Sequence, residues 1–172
     1  MMADMPFPFT APNFAHGGAG VGYALLQLFR ENGDRRLLDA AISAARYTMS
    51  RAHAVGENGC LICHTEERRK PIFYLGVCHG PAGTGRLLAE LSDITGDAVW
   101  ESHLAQLMRG LENIGAPEER SAGLWRNFGQ CCGDAGIGDF ALFLARRPGG
   151  EANLAFARRI GEFCSVAPTG TA

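Results

Sequence analysis

Apolar residues recur along this chain with the period of a helix. Val21, Leu25, Leu28 and Phe29 follow i, i+4, i+7, i+8, and Leu87, Leu88, Leu91 and Ile94 follow i, i+1, i+4, i+7, also helical spacing. Ile137, Phe140, Ala141 and Leu144 follow i, i+3, i+4, i+7. Each of these stretches is followed by a second amphipathic one: Leu38, Ala41, Ile42, Ala45 and Met49; Trp100, Leu104, Leu107, Met108 and Leu111; Phe156, Ile160 and Phe163. Gly33, Gly96 and Gly149 stand between the members of each pair, where a helix C-cap is expected. No stretch offers a convincing strand hairpin. The pattern predicts an all-α chain of three helix–turn–helix units.

The units are copies of one another. They open Ala15-His16-Gly17-Gly18-Ala19-Gly20, Cys78-His79-Gly80-Pro81-Ala82-Gly83 and Cys131-Cys132-Gly133-Asp134-Ala135-Gly136. A second glycine mark follows at the same interval in all three. The chain carries 23 glycines, nearly twice the roughly 7% background, and the excess lies in these repeats rather than in low-complexity runs. Glycine at a helix start removes Cβ atoms where helices crowd and exposes backbone N–H groups, which favour thiolates or anions. Packing explains the glycines. It does not explain a His or Cys before the first glycine of every copy.

The length of 172 residues suits one domain with a hydrophobic core. Apolar residues at 47% and charged residues at 20% argue against disorder. The net charge is −2 with both signs interspersed, so neither a nucleic-acid-binding stripe nor an acidic tail is expected. No apolar run approaches the ~20 residues that span a bilayer. The opening residues lack the basic and apolar regions of a secretory signal, so a cytoplasmic location is expected. In a reducing compartment, six cysteines point to metal or catalysis before disulfides.

Cys-His-Gly-x-x-Gly and Cys-Cys-Gly-x-x-Gly, with Ala-His-Gly-x-Ala-Gly upstream, resemble the lanthionine synthetase C-like family. The resemblance runs from about His16 to Phe163. It implies an α/α toroid with Gly-rich starts to its inner helices, here an incomplete barrel of about three hairpins over 15–165. An irregular segment over 1–14 and a frayed tail over 166–172 would flank it. It implies zinc held by Cys78, Cys131 and Cys132, with Val77 where the family usually has Trp and Cys132 where His is commoner. Three thiolates would make a bound substrate thiolate more nucleophilic than two thiolates and an imidazole would. The implied reaction adds a cysteine thiol to dehydroalanine or dehydrobutyrine, giving a thioether, with His16 at the acid–base position. The implied partners are a peptide substrate or a small thiol such as glutathione, and a dehydratase. His79, next to a ligand, would face substrate or support the ligands. The family's upstream Asp has no counterpart but Asp4, and Tyr74 lies where a basic residue is usual, with Lys70 the nearest cation.

Two further functional classes are consistent with the residues. One is a zinc-binding or peptide-binding module without catalysis. The other is a glycosidase-like toroid using Asp134 and Asp139, since fold alone does not specify function. Cys60-Leu61-Ile62-Cys63-His64 reads as a haem-attachment motif, a redox or zinc-supporting thiol pair, or an inert loop. His53 and His103 are expected on the outer helices as surface or packing residues, Cys164 in the core, and Trp100 and Trp125 as core or loop anchors.

Overall fold

The computed structural model describes residues 11–67, 70–119, 124, 125 and 127–166. The expected irregular start and frayed tail fall almost wholly outside these residues, as does Asp4. Six helices form three hairpins: α1 (Gly18–Asn32) with α2 (Arg35–Ser50), α3 (Pro81–Thr95) with α4 (Ala98–Asn113), and α5 (Asp134–Ala145) with α6 (Asn153–Val166). The first helices of the hairpins lie side by side, α1 on α3 and α3 on α5. The all-α expectation holds, with the hairpin as the repeating unit.

The turns of the first two hairpins follow from two residues each. Gly33 and Gly96 end their helices at φ +69° and +66°, a left-handed conformation that a side chain would strain. Asp34 and Asp97 then start the next helices, their carboxylates each accepting a hydrogen bond at 3.0 Å from the backbone N–H two residues on. Such a cap is worth about 1 kcal/mol. The third hairpin departs from the expectation. Helix α5 stops at Ala145, with Arg146 as C-cap and Gly149 further on in the turn at φ +75°. Pro148 explains the early stop, because the residue before proline is pushed out of the helical region. Arg147 pins this turn to the second hairpin through Asp93 at 2.7 Å and Glu101 at 3.2 Å.

Helix α3 is the centre of the core. Its Leu87, Leu88, Ala89 and Leu91 are fully buried, and they pack with Leu107, Leu111, Ile137, Phe140 and Ile160. A helix apolar on most of its surface belongs between neighbours on several sides. Gly85 makes room for one of them, since a Cβ there would come within 2.1 Å of the Phe140 ring. On the flanking α1 the apolar stripe is only partly used: Leu26 is buried, but Val21 and Leu28 are exposed.

Short strands in the connections were not expected from the sequence. β1 (Ala52–Ala54) pairs antiparallel with β2 (Cys60–Ile62). β3 (Thr65–Glu67) pairs antiparallel with β4 (Lys70–Tyr74), and β5 (Leu124–Trp125) lies parallel to β4. The physical reason is visible in β2. All three of its residues are buried, so its sequence has no alternation to announce a strand. It lies against α4, where a Cβ on Gly110 would come within 2.1 Å of the Cys60 carbonyl oxygen. His53 therefore sits in β1, edge-on to Phe73, and not on an outer helix.

Candidate metal centre

The three repeated motifs converge at one end of the hairpins. Gly17, Gly80 and Gly133 are the N-cap residues of α1, α3 and α5, each in extended backbone and without a side-chain cap. The residue before each glycine, and the one before that, therefore lie in a loop just ahead of a helix. The loops are stitched in series. The N–H of Ala15 donates to the carbonyl of Cys78 at 2.8 Å, and the N–H of Cys78 donates to that of Cys131 at 3.0 Å. These are equivalent positions in the three copies.

The later glycine of each motif has a shared steric cause. A Cβ on Gly20, Gly83 or Gly136 would lie 1.9 Å from a carbonyl oxygen six residues back, on Phe14, Val77 and Gln130 respectively. The incoming chain passes directly across the first helical turn. Only glycine lets it do so in all three places.

This stitching brings Cys78, Cys131 and Cys132 together, their sulfurs all within 4.8 Å of one another. Cys78 Sγ and Cys132 Sγ are 3.2 Å apart. Zinc–sulfur bonds of about 2.3 Å in a tetrahedron put sulfurs about 3.8 Å apart, so the observed range brackets that edge. Cys78 is buried, Cys132 half-buried and Cys131 exposed, so the triad is anchored inside and open outside. Burial, followed by hydrogen bonds and charge repulsion from Cys132 and Cys131, pushes the Cys78 thiol up to about 12. Three thiols crowded in this way cannot all ionise unless a cation neutralises them. The donor set and its spacing fit a soft divalent metal, and the residues present could hold one.

A histidine cluster gathers around His79, the residue after Cys78. His16, exposed in the first loop, lies with its ring 5.6 Å from that of His79. His79 lies 4.7 Å from His64 and 5.4 Å from Tyr74, and the His64 and Tyr74 rings meet edge-on at 4.6 Å. Burial, with the charges of His64 and His16 adding, lowers the pKa of His79. Burial alone lowers that of His64. An open groove beside His16 is lined by Phe14, Gly20, Val21, Tyr23 and Ala24 and is largely apolar.

The structure thus places all five residues singled out from the sequence, Cys78, Cys131, Cys132, His16 and His79, in one region. It adds three that were not assigned to it: His64, Tyr74 and Asn13. Asn13 is wholly buried, and its Nδ2 lies 2.8 Å from His64 Nδ1. The chain has five histidines, and three meet here; that concentration was a usable signal, obscured because His64 sits in a motif suggestive of haem. Cys60 and Cys63 are buried, so neither thiol has the exposure that haem attachment or thiol exchange needs, and burial also raises the Cys60 pKa. Asp134 and Asp139 both lie on α5, Asp134 buried and Asp139 paired with Arg86 at 2.5 Å. Two acids on one helix do not face each other across a cleft.

The family model for lanthionine synthetase C-like protein matches residues 10–149. Comparison with curated proteins gives no match. Among the described residues no helix is long and apolar enough to cross a membrane.

Proposed function

Because the chain belongs to the lanthionine synthetase C-like family, we propose that it supports lanthionine-type thioether formation, with zinc held by Cys78, Cys131 and Cys132. The observation that carries this reading is the three-sulfur cluster, open on the Cys131 side, with His79 next to Cys78 along the chain and the His16 ring 5.6 Å from that of His79. Zinc, when bound, would supply a Lewis-acidic position that lowers the pKa of a substrate thiol while leaving it nucleophilic.

This chain's own residues do the rest. The substrate sulfur forms a bond to the β-carbon of a dehydroalanine or dehydrobutyrine residue. The electron pair of the carbon–carbon double bond moves towards the carbonyl oxygen, and the α-carbon then needs a proton. His16 is exposed and lies against His79, and an imidazole is the side chain best suited to such a transfer. The net change is addition of S–H across the double bond, with no oxidant or reductant consumed. The apolar groove that His16 helps to line would seat the peptide beside that imidazole. A peptide or a small thiol such as glutathione would serve as nucleophile, and a dehydratase must supply the dehydro residue.

The test has two parts. Purified protein is assayed for zinc beside Cys131→Ala, and for thiol addition to a dehydroalanine-containing peptide by mass spectrometry. Near-equimolar zinc, lost in the variant, together with thioether product supports the proposal. Zinc without product leaves a zinc-binding module, and folded protein without zinc sinks the catalytic reading.

A further inference from the structure

Asn13 is an amide with no exposure in a loop whose neighbours face the histidine cluster. Its two ends have different partners. Oδ1 accepts the backbone N–H of His16 at 3.3 Å, a contact only an oxygen can make with a donor. Nδ2 is therefore the end that faces His64 Nδ1 at 2.8 Å, across 51 residues of sequence. An amide nitrogen only donates, so Nδ1 must be the acceptor and the ring proton must sit on Nε2. The His64 backbone is held too, its N–H donating to the Ile72 carbonyl at 3.0 Å. The Asn13 loop is anchored in turn, since Thr48 Oγ1 donates to the Pro12 carbonyl at 3.1 Å.

We propose that Asn13 is a positioning residue that ties the His16 loop to His64 and holds His64 as the neutral Nε2–H tautomer, giving the site a third imidazole. A proton on Nδ1 would face the N–H bonds of the amide, so both the other tautomer and the imidazolium are disfavoured. Burial of the ring acts in the same direction. The result is an N–H donor packed against His79 and Tyr74. Resting on the thiol-addition reading, its use is to meet the carbonyl oxygen on which negative charge grows as sulfur attacks.

Long-range proton–nitrogen correlation of the histidine rings in the full chain tests this directly, with His64→Gln assigning the signals. The expected spectrum has the His64 proton on Nε2. In Asn13→Asp a carboxylate replaces the donor, and the proton should shift to Nδ1; thiol addition should fall about 10–100-fold with zinc content retained. A wild-type spectrum with Nδ1 protonated overturns the proposal, and needs no variant to fold. So does an unchanged tautomer in folded Asn13→Asp. Loss of thiol addition in the wild type, with the Nε2–H tautomer present, would remove the proposed function and leave the Asn13–His64 pair standing.

Discussion

The backbone N–H of Cys78 donates to the carbonyl oxygen of Cys131 at 3.0 Å, tying together equivalent positions of two repeats 53 residues apart. The bond sets the distance between the loops before it sets anything about sulfur. With Ala15 bonded to Cys78 in the same way, the three helix starts form one continuous rim. A metal site on that rim needs only the right side chains at positions the backbone already holds.

Removing the metal should therefore cost stability without erasing the fold. A chelator is expected to lower the thermal midpoint of zinc-loaded protein, with a loss of about 2.7 kcal/mol in stability where free zinc had stood at a hundred times its dissociation constant. Since burial and the neighbouring thiols push the Cys78 thiol up to about 12, zinc uptake at neutral pH should release protons and strengthen as pH rises. Calorimetry in two buffers of different ionisation enthalpy counts the protons. Binding without proton release would contradict the assignment of Cys78 as a ligand.

The rim tolerates no added atom at Gly76. A Cβ there would lie 2.6 Å from the Cys132 carbonyl carbon and 2.7 Å from its Cα. Gly76→Ala should displace Cys132 and lower zinc content as far as Cys132→Ala does. Gly161→Ala, on α6 with nothing within 4 Å of the new methyl, should instead stabilise by about 0.4–1 kcal/mol. Zinc analysis and thermal melts on the two variants make the comparison.

His16→Ala should separate chemistry from metal binding. The side chain is exposed and is not among the three sulfur donors, so zinc content should hold. Thiol addition should drop by roughly 10²–10⁴-fold, the usual contribution of a general acid or base. A variant retaining full rate would assign the proton to another group.

Stability should fall in mild acid. His64 and His79 are buried enough that their folded pKa values lie below the ordinary 6.5. The unfolded chain then binds protons more readily than the folded one. Their contribution is complete above 6.5 and is lost as pH falls through the lowered folded values. Urea midpoints measured across that range on metal-free protein should decline with acid, and His64→Gln should flatten the decline without abolishing it, since His79 remains. A steeper decline in the variant would reverse the assigned sign.

Much of this was legible in the order of residues. Helical periodicity, Gly-Asp turns and a repeated motif specify local structure through interactions only a few residues long, and they marked all three hairpins, although Pro148 stops α5 short of Gly149. Repetition also marked the cysteines and His16, because side chains that packing does not require stood at matching places in each copy. The strands were hidden because β2 is buried throughout and carries no alternation. The exposure of Val21 and Leu28 was hidden because periodicity shows a stripe but not whether a neighbour covers it.

The sequence by itself determined which groups could do chemistry; the tertiary structure decided which of them meet. Cys60-Leu61-Ile62-Cys63-His64 reads as one local motif, yet folding buries its two thiols and carries its histidine to Asn13, 51 residues away. No local rule forecasts that pairing. It depends on where β2 turns after packing on α4, and on a buried amide whose two ends have one arrangement that satisfies both partners.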